Sequence, residues 1–222
     1  MSNGTLGILG LGSRTTQFYI QELNRMFQAK KGGYSTCPFI LLNTDFHKIN
    51  TLLPEPSQEL DQIVQKYIQS LEQLEVDVLL IPNITLHQTI DRLKLSTPLL
   101  HPLQICVTKL LEEEIKKVTL FGTAYTMSSD YIPTYLEQYG IEVEVPKASD
   151  KSFIDQFRKQ VYADGAKETE IHQFYAVLEK YASKAPVVLA CTELSIFPSG
   201  NTAVFDLVQL QLGSALDICL NG

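Results

Sequence analysis

The stretch Val187-Val188-Leu189-Ala190-Cys191-Thr192-Glu193-Leu194 runs from four apolar residues straight into a thiol, a hydroxyl and a carboxylate. A short β-branched run of this kind reads as a buried strand of a parallel sheet. In open α/β sheets, ligands sit beyond the carboxyl ends of the strands. Cys191 therefore falls where chemistry is done. A thiol at such a place serves as nucleophile or proton carrier once its pKa is tuned. The competing reading is a small buried cysteine that ends a core strand, and the adjoining Thr192 and Glu193 weigh against it.

This segment has a counterpart in Val78-Leu79-Leu80-Ile81-Pro82-Asn83-Ile84-Thr85-Leu86-His87, another apolar run ending in a polar turn. Upstream of each lies a further matching piece. Leu6 to Leu9 leads into Gly10-Leu11-Gly12-Ser13-Arg14-Thr15-Thr16, and Val118 to Phe121 leads into Gly122-Thr123-Ala124-Tyr125-Thr126. The order strand, Gly-hydroxyl turn, helix, strand, helix, strand, polar turn thus appears twice. The expected fold class is α/β, with two pseudosymmetric three-layer α/β/α lobes, mainly parallel sheets and an interlobe cleft on which the strand ends converge.

Strands are expected near 5–10, 38–43, 77–82, 117–122, 141–145 and 186–190. Helices are expected near 15–29, 57–74, 86–93, 102–114, 127–139, 151–162, 167–183 and 206–220. Ser96-Thr97-Pro98 breaks the pattern and marks the lobe boundary.

Composition bounds the function classes. The 222 residues suit two small lobes of about a hundred residues each. A hydrophobic content of 45% fills such cores, and a net charge of -7 argues against a nucleic-acid surface. Lys30-Lys31 and Lys116-Lys117 read as solvated pairs at element ends. No apolar stretch reaches the ~20 residues that span a bilayer, and no charged-then-apolar leader opens the chain. A cytoplasmic location is expected. Cys37, Cys106, Cys191 and Cys219 lack the paired spacing of zinc or CxxC sites, so neither a metal site nor disulfides are expected. Cys106 and Cys219 sit in apolar helical patterns and read as core, whereas Cys37, just before a strand, could border a groove.

The turn Gly10 to Thr16 lacks the third glycine of a dinucleotide fingerprint and the Gly-Lys-Ser/Thr of a P-loop. A helix start rich in hydroxyls nevertheless suits a small anion. Ser13, Thr15, Thr123 and Thr126 are candidate carboxylate binders, and simple N-capping is the alternative for each. Arg14 adds a cation to a first turn, where it opposes the helix dipole, a place easier to explain if it meets an anion.

Together these residues resemble the aspartate/glutamate racemase superfamily, cofactor-independent enzymes of two pseudosymmetric α/β domains. The resemblance rests on Gly7-Ile8-Leu9-Gly10 leading to Thr15 and Phe18-Tyr19, on Gly122-Thr123-Ala124-Tyr125-Thr126-Met127 with Gly140-Ile141-Glu142-Val143, and on Cys191-Thr192-Glu193. It covers nearly the whole chain. It implies an aspartate-racemase-like amino-acid racemase, an isomerase of amino-acid metabolism that needs no cofactor, takes a small carboxylate substrate and forms a homodimer. It also implies that the last helix returns to the first lobe, giving lobes of 1–98 plus 207–222 and 99–206.

Two departures stand out. The family's first-half turn reads Pro-Cys-Asn-Thr-x-His, and here Pro82-Asn83-Ile84-Thr85-Leu86-His87 puts Asn83 in the place of the thiol and Ile84 in that of a substrate-binding Asn. A His that often follows the final domain-crossing Asp is also missing, since Asp206 is followed by Gln209 and Gln211.

Racemisation requires a proton carrier on each face of a carbanion stabilised by fixed donors. Cys191 supplies one. Asn83 has no useful acid-base pKa, so His87 is the candidate substitute, directly or through water, with turn support as its alternative role. Thr85 is a candidate for orienting water, and Thr192 and Glu193 complete the expected substrate-binding set. Three functions follow: a racemase or epimerase for aspartate, glutamate or a related carboxylate; a single-thiol decarboxylase resembling the superfamily's malonate-type enzymes; or a non-catalytic carboxylate-binding protein.

Overall fold

The computed structural model describes residues 4–221 and divides into two compact units. The first runs to His101 and resumes from Gln211 onward; the second spans Pro102–Leu210.

In the first unit, β1 (Leu6–Gly10) is buried along its whole length and pairs in parallel with β2 (Phe39–Asn43) on one side and β3 (Val78–Leu80) on the other. A strand covered on both faces needs an unbroken apolar run, which Leu6-Gly7-Ile8-Leu9-Gly10 provides. Helix α1 (Ser13–Lys31) buries Thr16, Tyr19, Leu23 and Phe27 as one stripe and ends at Gly32, whose φ of 75° with ψ of -178° is a backbone conformation that favours glycine. Helix α2 (Phe46–Asn50) follows β2 and was not expected from sequence; the Asp45 carboxylate caps it by accepting the His47 N–H. Helix α3 (Gln58–Glu72) starts at Ser57, which accepts the Leu60 N–H at 3.1 Å, and buries Leu60, Val64, Ile68 and Leu71. Each such side chain contributes about 1.5–3 kcal/mol through burial. The short α4 (His87–Ile90) follows β3.

The second unit repeats the same winding. After α5 (Pro102–Glu112) come β4 (Lys117–Phe121), α6 (Tyr131–Glu137), β5 (Glu142–Glu144), α7 (Ala148–Tyr162), α8 (Glu168–Ala182), β6 (Val187–Leu189) and α9 (Thr192–Ser195). The central β4 pairs in parallel with β5 and β6, as β1 does with β2 and β3. A further strand, β7 (Val204–Asp206), pairs with β6 so that Leu189 faces Asp206. Sequence reading missed β7, because three residues run directly into the last helix, α10 (Leu207–Asn221). The core of this unit is aromatic: Phe157 stacks on Phe174 at 4.8 Å and meets Phe197 at 5.4 Å. Cys191 and Leu194 belong to the same cluster, so the turn at the end of β6 is anchored on this packing.

The division falls three residues later than Pro98 in sequence. Leu79 donates its N–H to Pro98 O and accepts one from Leu100, which adds that segment to the first sheet. The later crossing, before Gln211 rather than Leu207, has an equally local cause. Buried Gln211 accepts the Tyr19 hydroxyl at 2.7 Å and donates to Leu100 O at 2.7 Å.

Candidate active site

In both sheets the chain leaves the central strand in one direction and returns on its other side, so each switch point lies at the carboxyl ends of the central and third strands. These ends are β1 with β3 and β4 with β6. The turns that follow hold the candidate catalytic and substrate-binding residues.

In the first unit, Ser13, Arg14 and Thr15 occupy the opening turn of α1. Gly12 is the N-cap and no side chain caps it; instead Thr16 Oγ1 accepts the Leu11 N–H at 3.1 Å. Ser13 is exposed, and Arg14 and Thr15 are half-buried. N-capping therefore does not account for Ser13 or Thr15. After β3, Asn83 is occupied as a turn former, its Oδ1 accepting the Leu86 N–H at 2.9 Å. Thr85 is half-buried beside it. The His87 ring is fully buried, and its Nδ1 donates to Asn83 O at 2.8 Å. That bond fixes the tautomer with the proton on Nδ1, and Nε2 has no hydrogen-bond partner. Burial, with the His101 ring edge-on at 4.9 Å, pulls the His87 imidazole down to about 3. The ring stays neutral and braces the turn. The neutral form is favoured there, with Nδ1 held by the Asn83 carbonyl. Ile84 is buried in the same turn.

In the second unit, Thr123 Oγ1 accepts the Thr126 N–H at 3.0 Å and lies 2.9 Å from Thr126 Oγ1. Gly122 is required here, because a Cβ would stand 2.8 Å from Thr126 Cγ2. Asp155, from α7, accepts the Ala124 N–H at 2.9 Å and holds Arg158 at 2.9 Å and Lys159 at 2.5 Å. Burial works against its charge, yet Lys159, the Ala124 N–H and Arg158 together keep the Asp155 carboxyl below its usual range.

On the neighbouring strand, Cys191 is the extended residue before α9, and its thiol donates to Glu193 Oε2 at 3.0 Å. Burial pushes the thiol well above its usual range, and the Glu193 charge adds to the shift, while Arg158 opposes it. The resting thiol is therefore protonated and has a carboxylate acceptor in place. Thr192 is half-buried at the first position of α9. Ser195 Oγ lies 3.1 Å from Cys191 O and 2.7 Å from Asp206 Oδ1, which ties the turn to the end of β7. Asp206 also accepts the N–H groups of Val208 and Gln209, and burial raises its carboxyl to about 6.

Sequence reasoning missed Asp155, Arg158 and Ser195. A signal exists for Asp155 and Arg158, since an acid with a base three residues on interrupts the apolar face of Ile154, Phe157 and Val161. Ser195 has none, because its meaning depends on β7.

Residues 8–213 match the Asp/Glu/Hydantoin racemase family. The chain belongs to that family. Among solved structures, a candidate Asp/Glu racemase from Yersinia pestis is 26% identical with a TM-score of 0.85, over 98% of this chain and 100% of that one. An aspartate racemase homologue from Pyrococcus horikoshii superposes with a TM-score of 0.83 at 21% identity, over 99% and 100% of the two chains. The aspartate racemase of Picrophilus torridus gives 0.76 at 20%, over 97% and 94%. At these last two identities the likeness is one of fold. Among the described residues of this racemase-family chain, no helix is long and apolar enough to cross a membrane.

Proposed function

We propose that this chain is a cofactor-independent amino-acid racemase or epimerase for aspartate, glutamate or a related carboxylate, with Cys191 as the acid/base on one face of the substrate. The observation that carries this reading is the Cys191 thiol at a strand end, 3.0 Å from Glu193. Glu193 takes the thiol proton, and the thiolate so formed takes the α-proton. Returning that proton reverses both transfers. Arg158 favours the thiolate during the step. Thr123, Thr126 and Thr192 offer hydroxyls on the same strand-end edge, and in the first unit Arg14, with Ser13 and Thr15 beside it, is the proposed carboxylate binder. At the matching turn of the first unit Asn83 carries no acid, and Thr85 is the proposed residue to orient a water there.

That asymmetry also supports a second reading, a single-thiol decarboxylase in which Cys191 protonates one face of a planar intermediate. One experiment separates the two. Each enantiomer of aspartate and glutamate, and a disubstituted malonate, is incubated with the protein in D2O. Deuterium at the α-carbon with formation of the other enantiomer supports the racemase; carbon dioxide release from the malonate supports the lyase. Binding with neither points to a carboxylate-binding protein. The racemase reading carries a cytoplasmic homodimer, and light scattering should give about twice the chain mass of 24.9 kDa. A monomer at working concentration contradicts that assembly.

A further inference from the structure

Outside the candidate site, two thiols from opposite ends of the sequence meet in the first unit. Cys37 Sγ lies 3.2 Å from Cys219 Sγ, across 182 positions of sequence, and both residues are buried. Sequence reading gave Cys37 a possible groove edge and Cys219 a core position; the structure corrects the first, since Cys37 packs against Cys219. A bonded sulfur pair stands at ~2.05 Å, so the two sulfurs need to approach by about 1.2 Å. The surroundings hold them in place. The Cys37 N–H donates to Asn24 Oδ1 at 3.0 Å, and Cys219 Sγ also faces Pro38 O at 3.8 Å. Cys219 sits near the end of α10, whose Leu212, Ala215 and Leu216 are buried with it. Cys37 lies at the edge of the exposed loop 32–36, which gives a small oxidant a short path to it.

We propose that Cys37 and Cys219 form a peroxide-oxidisable dithiol whose disulfide fastens the carboxyl-terminal helix to the strand that follows Cys37. Cys37, beside the exposed loop, is the sulfur that an oxidant reaches first, and its thiolate is the attacking species. Its thiolate attacks one oxygen of hydrogen peroxide and the O–O bond breaks. The departing hydroxide takes the thiol proton as water, leaving a sulfenic acid on Cys37. The Cys219 sulfur then attacks the Cys37 sulfur, the S–O bond breaks, and the departing hydroxide takes the Cys219 proton as a second water. The dithiol loses two electrons and the peroxide gains them. Closing a loop of this length constrains the unfolded chain more than the folded one.

The full-length protein is treated with hydrogen peroxide, its remaining thiols are blocked with N-ethylmaleimide in denaturant, and it is digested for mass spectrometry. A peptide pair joined through Cys37 and Cys219 is expected, reversed by dithiothreitol. The oxidised protein should melt about 5 °C or more above the reduced one. Cys37→Ser should lose both the cross-link and the shift under the same treatment. Comparing oxidised with reduced wild-type protein keeps the test open if the variant folds poorly. Complete blocking of both thiols after peroxide treatment would overturn the proposal, as would sulfinic acid on Cys37 without a cross-link. A cross-link that leaves the melting temperature unchanged would overturn the fastening of α10.

Discussion

The Cys191 thiol and the Glu193 carboxylate stand 3.0 Å apart, two residues from each other along the chain, at the end of the strand that borders the centre of its sheet. Burial disfavours the thiolate, and the same burial strengthens the hydrogen bond through which the proton can leave. Glu193→Gln keeps the shape and removes the proton acceptor. The α-proton exchange rate should fall by about 10²-fold or more, a typical contribution of a positioned base. An exchange rate within about twofold of wild type would remove Glu193 from the proton path.

The Asn83 turn predicts inequality between the two faces. Starting from each enantiomer separately, deuterium incorporation should be strongly asymmetric, and Asn83→Cys should raise the slower direction. Equal rapid exchange from both enantiomers of the unmodified protein would show that another group already serves the second face.

Asp206 gives a pH signature of its own. Its folded carboxyl is raised to about 6 from an ordinary 3.8. The protonated form is therefore favoured by folding, and the contribution is fully present below about pH 3.8. It is lost as pH rises to about 6, at a cost on the order of 2–3 kcal/mol. Asp206→Asn should flatten that part of the stability-against-pH curve, measured by urea denaturation between pH 4 and 7. An unchanged slope would show that the carboxyl titrates normally.

Ile68, buried on α3 beneath the first sheet, tests the packing that carries the Asn83 turn. Ile68→Ala should cost about 2–5 kcal/mol in the same denaturation experiment. A loss below ~1 kcal/mol would mean that this helix face is not the core described.

The central strands were legible because burial on both faces demands continuous apolar runs, as in Leu6–Gly10 and Val187–Leu189. The strand-end turns were legible for the same reason, since Cys191 and Asn83 interrupt such runs. What escaped depends on partners distant in sequence. Val204–Asp206 is a strand only because β6 lies beside it, and Ser195 matters only because Asp206 then comes within 2.7 Å. His87 carries the residue type of a proton carrier, but only the packed His101 ring and the Asn83 carbonyl reveal a neutral brace. Cys37 and Cys219 read as unrelated until the fold closes 182 positions.

The most direct test is Cys191→Ser, a nearly isosteric change that removes the thiol and leaves the turn its hydrogen-bonding group. Deuterium exchange at the α-carbon is followed for aspartate and glutamate, with circular dichroism confirming the fold. Exchange in wild type and its abolition in a folded Cys191→Ser protein is the predicted result. Full exchange in the folded variant would contradict the assignment of Cys191 as the acid/base.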